Sequence, residues 1–424
     1  MDSLRAASHR LDWGWGVDAV ANSTGLRQRV DVLFPEAYVK VRHRQLEFYA
    51  GRRRELIGLV DSTVSSGSYI WSGNALPPLK LQIGTLGWLP VGKLLAINGF
   101  YAQGWFEYDR FVKGSMLHQK ALYVRLGGAS WPVLFTAGFN HQVQWGGRNE
   151  TLSGAFVQGG HLPSSLRDYI DVVLGSSLGK RQVDTTKYSE FDAGNRIGNH
   201  LGTIDLGLQL RTRSVDVYLY RQNIYEDGSL YYLINIADGL NGLRFVNKRP
   251  YRNGFQLQNV VMEFLNTFSQ GGGDFVDGDP SKRGRDNYFN HAQYRDGWST
   301  HGRTIGTPFI PPATDLPDRF PPATFSNNNR VRVYHVGLAG RLSTQVGFVS
   351  KLSYSQNAGT YDAAFDPIAI QFSGFVGLVS SLDKGGTYLL TTSAGYDRGD
   401  LYPENLSVFV SVQKRGLLQS RYHQ

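Results

Sequence analysis

The chain contains no cysteine, which excludes disulfide frameworks, Cys-ligated zinc and thiol catalysis. A cysteine-free sequence also suits a chain that crosses an oxidising space before folding, where a stray thiol is a hazard. No apolar run reaches the roughly 18 residues of a transmembrane helix, so a helical membrane protein is excluded and a membrane β-barrel is not. The N-terminal stretch MDSLRAASHRLDWGWG lacks the apolar segment of a signal peptide. Charge is sparse as well: Asp, Glu, Lys and Arg make up 19% of the chain, against roughly 25% in soluble domains.

What the chain has instead is 13% aromatic residues and 50 glycines, the profile of a β-protein with many turns. Its 44 basic and 35 acidic residues leave a formal charge of +9. That excess points to an anionic partner: nucleic acid, lipid A phosphates or an acidic glycan. The basic residues are scattered and no nucleic-acid-binding motif is present, which disfavours the first.

The dominant pattern has period two. In TIDLGLQLR, Ile204, Leu206, Leu208 and Leu210 share one face, and Thr203, Asp205, Gly207, Gln209 and Arg211 the other. NLSVFVSVQ, LKLQIGT, QVGFVSKLSY and KALYVRL alternate in the same way. Such alternation marks strands with one apolar and one polar face. With similar segments elsewhere the chain holds about fourteen to sixteen strands, many near the ten residues that cross a bilayer at a tilt. Aromatics cluster near strand ends at Trp88, Trp105 with Tyr108, Trp131, Tyr396 and Tyr402, where an interfacial girdle would place them. A large soluble β-sandwich or propeller is the competing architecture, and no blade-length repeat supports a propeller.

Two segments interrupt the pattern. Residues 144–200 include HLPSSLRDYIDVVLGSSL, in which Leu162, Leu166, Tyr169, Ile170 and Val173 fall at helical spacing after a Pro-Ser-Ser start. Residues 266–329 are dense in Gly, Pro, Asp and Asn, which deny both helix and strand. The expected fold is therefore all-β: a single domain over residues 1–424, forming a large antiparallel transmembrane β-barrel of about 16–18 strands. Both long segments are expected to enter or cover its lumen.

Three strings, YLYRQNIYEDGSLYYLINIADGLNGLRF (218–245), GNHLGTIDLGLQL (198–210) and YFNHAQYRDGWSTHGRTIGTPF (288–309), together resemble the Wzi family of capsule-assembly outer-membrane proteins. The third resembles the Bacteroidetes branch of that family. The resemblance spans most of the chain from about residue 12 and implies an outer-membrane barrel of roughly eighteen strands. It also implies a non-catalytic lectin role in retaining capsular polysaccharide at the surface of a Gram-negative, Bacteroidetes-type cell. Family members carry a signal peptide and more sequence ahead of the strand at 12–21, so the first strand or two are expected to be missing here. Lipid cannot satisfy an open sheet edge, so a missing strand would come from a smaller closed barrel or from another chain.

The most crowded stretch, DNYFNHAQYRDGWSTHGRTIGTPF (286–309), holds no convincing reaction centre. His291 and His301 are too far apart for the usual zinc spacing and HExxH is absent, so no metal is expected. Ser299 lacks a G-x-S-x-G setting, and no catalytic residue is assigned. Neither resemblance nor chemistry calls for a cofactor. Sugar binding wants aromatic faces beside hydrogen-bonding and cationic groups. Trp298, Tyr294, Arg295 and Arg303 supply that mixture in the crowded loop. Arg221, Tyr225, Glu226, Asp227, Tyr231 and Asp238 do so in the 218–245 string, and Trp145 with Arg148 in QWGGRN. Each could equally serve as a packing, girdle or turn residue. The expected partners are outer-membrane lipid, an acidic surface polysaccharide and other outer-membrane proteins. A diffusion porin for anionic solutes and a structural subunit of a membrane complex are the alternatives to the lectin.

Overall fold

Alternating faces become paired strands along nearly the whole chain. The computed structural model describes residues 11–24, 29–128, 130–179, 182–226, 229–276, 279, 283–383 and 385–416. The first strands are β1 (Asp12–Thr24), β2 (Arg29–His43), β3 (Leu46–Arg52), β4 (Leu79–Thr85) and β5 (Leu89–Val91). Next come β6 (Leu95–Trp105), β7 (Met116–Leu126), β8 (Val133–Trp145), β9 (Asn199–Arg211) and β10 (Val215–Tyr225). Then follow β11 (Gly239–Asn247), β12 (Gln256–Asn266), and the short β13 (Ser299–Thr300) and β14 (Arg303–Thr304). The series ends with β15 (Val331–Arg341), β16 (Val346–Gly359), β17 (Ala364–Ser381), β18 (Tyr388–Gly399) and β19 (Asn405–Lys414). Two helices, α1 (Leu166–Leu174) and α2 (Glu190–Gly194), lie between β8 and β9.

Within the wall each strand pairs antiparallel with its neighbour in the chain, from the β1–β2 hairpin to β18–β19. β4 and β5 both pair with β6 and form one interrupted stave, while β13 and β14 make a separate small hairpin. That leaves sixteen staves among the described residues, an even number as in bacterial outer-membrane barrels.

All the long connections fall at one end: 53–78, 106–115, 146–198, 226–238 and 267–330. The other end has short turns such as 44–45, 212–214 and 342–345. In outer-membrane barrels long loops are extracellular and short turns periplasmic, which orients the molecule.

Burial inverts the rule for soluble proteins. On β9, Thr203 and Asp205 are fully buried, while Ile204 and Leu206 are 40% and 41% exposed. On β7, Gln119, Ala121 and Tyr123 are buried, and Leu122, Val124 and Leu126 are exposed. The same parity runs through β15 and β16, where His335, Ser353 and Ser355 face inward and Tyr334, Val336 and Leu352 face out. Exposed apolar strand faces around a polar interior suit hydrocarbon outside and hydrogen-bonding groups within.

An aromatic row crosses four neighbouring staves near the extracellular end. Phe264, Tyr334, Tyr354 and Phe372 are direct cross-strand partners, with Phe264 and Tyr334 ring centroids 5.1 Å apart. Trp131 and Tyr388 are exposed towards the periplasmic end, as is Phe255, which stacks on Phe348 at 5.6 Å. The two groups match the girdles that flank a lipid belt. Trp88 is instead covered by the Arg125 guanidinium, 4.4 Å from its ring centroid.

Inside the wall, tyrosines lie flat across glycines on adjoining strands. Tyr123 pairs in register with Gly138, and Tyr220 with Gly242. A Cβ on Gly138 would sit 2.1 Å from the Tyr123 ring, and one on Gly242 would sit 2.0 Å from Tyr220. Tyr123 cannot swing aside freely, because its hydroxyl donates to Asp205 at 2.9 Å and accepts from Asn140 at 2.6 Å. Gly138→Val is therefore expected to destabilise the barrel by about 1–3 kcal/mol through overpacking. Urea unfolding in phospholipid would show it as a lowered midpoint, and an unchanged midpoint would contradict this packing.

Candidate functional site

The inward polar face needs hydrogen-bonding partners, and residues 53–78 supply them. This connection between β3 and β4 enters the lumen and is gripped by strands on several sides. The Glu263 carboxylate on β12 accepts from Ser65 Oγ at 2.8 Å and from the Ser66 N–H at 2.6 Å. Gln222 on β10 accepts from the Tyr69 N–H at 3.0 Å, and Gln142 on β8 donates to the Ile70 carbonyl at 3.2 Å. His335 on β15 bridges the Val64 carbonyl and Ser353 Oγ, both at 2.8 Å. Lys80 on β4 reaches Glu55 at 2.5 Å and lies 4.8 Å from the centroid of the Trp71 ring. The fit leaves no slack at Gly337, where a Cβ would sit 1.9 Å from the Val64 carbonyl oxygen.

Above this plug the 267–330 connection folds down onto it. Tyr69, Ile70 and Trp71 of the plug join Tyr288, Phe289, Trp298, Ile305, Ile310 and Phe325 in one buried cluster, closed by wall residues such as Leu117, Ile224 and Leu265. Backbone bonds from Ser72 to Ile305 and from Thr307 to Tyr69, each 2.9 Å, tie the two segments together. Arg110, from the 106–115 connection, adds bonds to the carbonyls of Ser299 at 2.6 Å and Gly297 at 3.0 Å. Residues 53–78 and the described part of 267–330 block the lumen, and a cavity of about 490 Å³ remains beside Arg53–Leu59, Gln82, Trp88 and Tyr123. The 146–198 connection divides, part of it meeting the 267–330 loop through Gln293 and part carrying α1 elsewhere.

A polar cleft of about 530 Å³ opens between the loops at the extracellular mouth. Its lining includes Glu226, Asp286, Asn287, Asn290, His291 and Asn327, with Phe275 and the Arg285–Asp362 ion pair beside them. The asparagines form a lattice. Asn290 donates to Asn287 Oδ1 at 2.8 Å and to the Ser326 carbonyl at 2.9 Å, and Asn329 also donates to Asn287 Oδ1, at 2.6 Å. Asn327 donates to the Pro321 carbonyl at 2.6 Å, which leaves its buried Oδ1 with no protein partner. His291 Nδ1 accepts the N–H groups of Gln293 and Tyr294 at 3.2 and 3.3 Å. Burial holds the His291 pKa down to about 4, so the ring is neutral at physiological pH.

The residues singled out in the sequence do not converge on this cleft. Glu226 lines it, accepting the Phe289 N–H at 3.2 Å. Trp298 is fully buried in the central cluster. Tyr294 is buried too, its hydroxyl donating to the Gly146 carbonyl at 3.2 Å. Arg295 lies over the Phe111 ring at 4.9 Å, and Arg303 is paired with Asp315 at 2.8 Å. Arg221 and Tyr225 point outward from β10: Arg221 bonds Asn223 and Asn241, and Tyr225 packs near His141. Tyr231 stands 82% exposed at a loop tip, edge-on to Tyr232. Trp145 stacks on Tyr169, and Arg148 donates to the Tyr108 hydroxyl at 2.7 Å. Asp227 lies outside the described residues. The cleft's Asn287, Asn290, Asn327 and Phe275 escaped notice, and the run Asn327–Asn329 was the one local signal available. Ser299 Oγ donates to the Asp296 carbonyl at 2.6 Å, a turn contact. Among the described residues no group of three or more His, Asp or Glu side chains is arranged to hold a metal ion.

Asp238 is the staple of the mouth. Its carboxylate accepts from Asn266 at 2.9 Å, the N–H groups of Ser269 and Gln270 at 3.0 and 2.6 Å, and the Tyr288 hydroxyl at 3.0 Å. Burial raises its pKa to about 6, although these hydrogen bonds and Arg221 pull it down. A carboxyl whose folded pKa is raised contributes stability that is present below its ordinary value near 3.8 and is lost as pH rises through about 6. Asn at this position does not titrate. The melting temperature of wild type relative to Asp238→Asn should therefore fall between pH 4 and pH 7, and a pH-independent difference would contradict the assignment.

No family model and no curated protein matches the chain. Among solved structures, the fold is similar to Wzi of Escherichia coli, an outer-membrane protein involved in group 1 capsule assembly and described as a carbohydrate-binding β-barrel. That similarity has a TM-score of 0.53 at 13% identity, over 92% of this chain and 71% of the other. BamA from Haemophilus ducreyi matches with a TM-score of 0.39 at 9% identity, over 94% and 75% of the two chains. A BenF-like porin from Pseudomonas fluorescens matches with a TM-score of 0.36 at 8% identity, over 95% and 87%. What is shared with Wzi at 13% identity is the fold, a β-barrel of the outer-membrane type, whose exposed apolar strand faces suit contact with membrane lipid.

Proposed function

We propose that this barrel is a non-catalytic, lectin-like protein that holds a surface polysaccharide at its extracellular mouth, in an outer membrane of the Bacteroidetes type. The observation that carries the reading is the composition of the mouth cleft. The Phe275 ring, 59% exposed, lies beside amide and carboxylate side chains held in fixed positions by their own hydrogen bonds. A sugar ring asks for that pairing, an apolar face against an aromatic and hydroxyls against oriented donors and acceptors. The buried Asn327 Oδ1 adds an acceptor with no protein donor. The solved barrel with the same fold is described as carbohydrate-binding, which supports the reading without extending to ligand choice.

The charge of the cleft narrows the ligand. Among the described residues Glu226, Asp286 and Asp362 line it against Arg285, with Arg283 over the Phe275 ring at 5.9 Å, so carboxylates outnumber cations and a neutral sugar unit fits better than a uronate. The excess positive charge of the chain lies elsewhere. A lumen blocked by hydrogen-bonded chain weighs against the diffusion-pore alternative.

Binding of neutral and uronate oligosaccharide panels to the detergent-solubilised protein, followed by calorimetry, tests the proposal. A neutral oligosaccharide should bind, and Phe275→Ala or Asn327→Ala should each weaken it by about tenfold, the loss of one stacking or hydrogen-bonding contact. No reducing ends should appear during incubation. Binding unaffected by both substitutions, or a ligand confined to uronates, would overturn this site.

A further inference from the structure

The 146–198 connection places α1 against the outside of the barrel. The parity of the wall shows this. His118 and Lys120 share the outward face of β7 with Leu122, Val124 and Leu126, and His141 shares that of β8 with Phe139. His200 shares the outward face of β9 with Ile204 and Leu206. These polar side chains would otherwise meet hydrocarbon, and yet His118, His141 and His200 are buried. α1 and its Gly175 cap cover His118 and His141. Lys120 donates to the Val173 carbonyl in the last turn, and Tyr169 faces His118 with ring centroids 5.7 Å apart. Trp145 stacks on Tyr169 at 5.1 Å, and Val172 packs with Val143. His141 Nε2 and His200 Nδ1 share a hydrogen bond of 2.9 Å, and His200 Nε2 lies 3.0 Å from the Ile197 carbonyl.

An adjoining side of α1 has no protein over it among the described residues. Leu166, Ile170 and Leu174, spaced at i, i+4 and i+8, are 79%, 53% and 70% exposed. That ridge is continuous with the lipid belt. Tyr169 shares a 2.7 Å hydroxyl–hydroxyl bond with the exposed Tyr101 of β6, and the exposed Phe139 stacks on His141 beneath the helix. Cations flank the ridge. Arg167 is exposed on α1 itself, Lys187 lies 3.5 Å from Asp168, and Arg196 donates to the Gly175 carbonyl at 3.0 Å. An apolar ridge bordered by basic side chains is the pattern of a helix lying in a membrane interface.

We propose that α1 is an in-plane membrane helix whose Leu166–Ile170–Leu174 ridge enters the acyl region of the outer leaflet, while Arg167 and Arg196 engage the phosphates of a phosphorylated lipid. The helix seals a polar patch of the wall from hydrocarbon and fixes the mouth loops to the bilayer. This does not depend on glycan binding.

The absence of native cysteine makes the test direct. Single variants Leu166→Cys, Ile170→Cys and Leu174→Cys carry a bimane label and are reconstituted in vesicles of acyl-brominated phosphatidylcholine. Leu352→Cys on the lipid face and Thr185→Cys in the same connection serve as controls. Quenching at the three ridge sites should come within about twofold of Leu352→Cys. Quenching no greater than at Thr185→Cys would overturn the insertion. Native mass spectrometry with added lipid A then reads the headgroup half. Arg167→Gln with Arg196→Gln should lower lipid A occupancy several-fold and leave phosphatidylcholine occupancy unchanged, whereas equal lipid A occupancy would overturn the phosphate contact.

Discussion

Inside a bilayer every backbone N–H and C=O must find its partner within the protein, and the rest of this molecule follows from that constraint. The antiparallel ladder pairs neighbouring strands from β1 to β19 and satisfies the backbone groups between them. It also forces a division of side chains, because alternate residues must face hydrocarbon. Leucines, isoleucines and aromatics occupy the outward positions, which leaves Asp205, Gln222, Glu263 and His335 pointing inward. An inward polar face needs partners of its own, and the 53–78 connection provides them residue by residue. The plug therefore complements a wall whose chemistry the membrane has already dictated.

The same reasoning explains two of the places, among the described residues, where outward polarity is tolerated. On β10, Arg221 stands outward near the extracellular end and is satisfied by Asn223 and Asn241 together with the carbonyls of Ile236 and Asp238. On β7 and β8 the outward His118, Lys120 and His141 are roofed by α1 and its Gly175 cap. Each exception is hydrogen-bonded or covered at the point where it departs from the apolar rule.

The wall was largely legible in the sequence because its signal is local. Period two in TIDLGLQLR or NLSVFVSVQ survives in any context, and the Pro-Ser-Ser start and helical spacing of 162–173 became α1 with a Ser165 capping box. The plug was not legible. Residues 53–78 have no periodicity, and their role is set by partners such as Glu263, 198 positions from Ser65. The crowded stretch 286–309 misled for a related reason: Trp, Tyr and Arg are what a sugar site and a buried loop core both use. Trp298 and Tyr294 went to the core, while the polar lining of the mouth cleft, where recognition is proposed, comes from asparagines that look like turn residues in sequence. Only three-dimensional convergence separates those two uses.

Planar-bilayer recording tests the central claim, that the lumen is blocked by hydrogen-bonded chain. The protein is compared with a variant in which residues 58–70 and residues 286–325, the two segments that meet in the lumen, are each replaced by a short Gly-Ser linker. The account predicts no steady conductance from the intact protein and a stable open channel from the variant. A large steady conductance from the intact protein, unchanged in the variant, would contradict it.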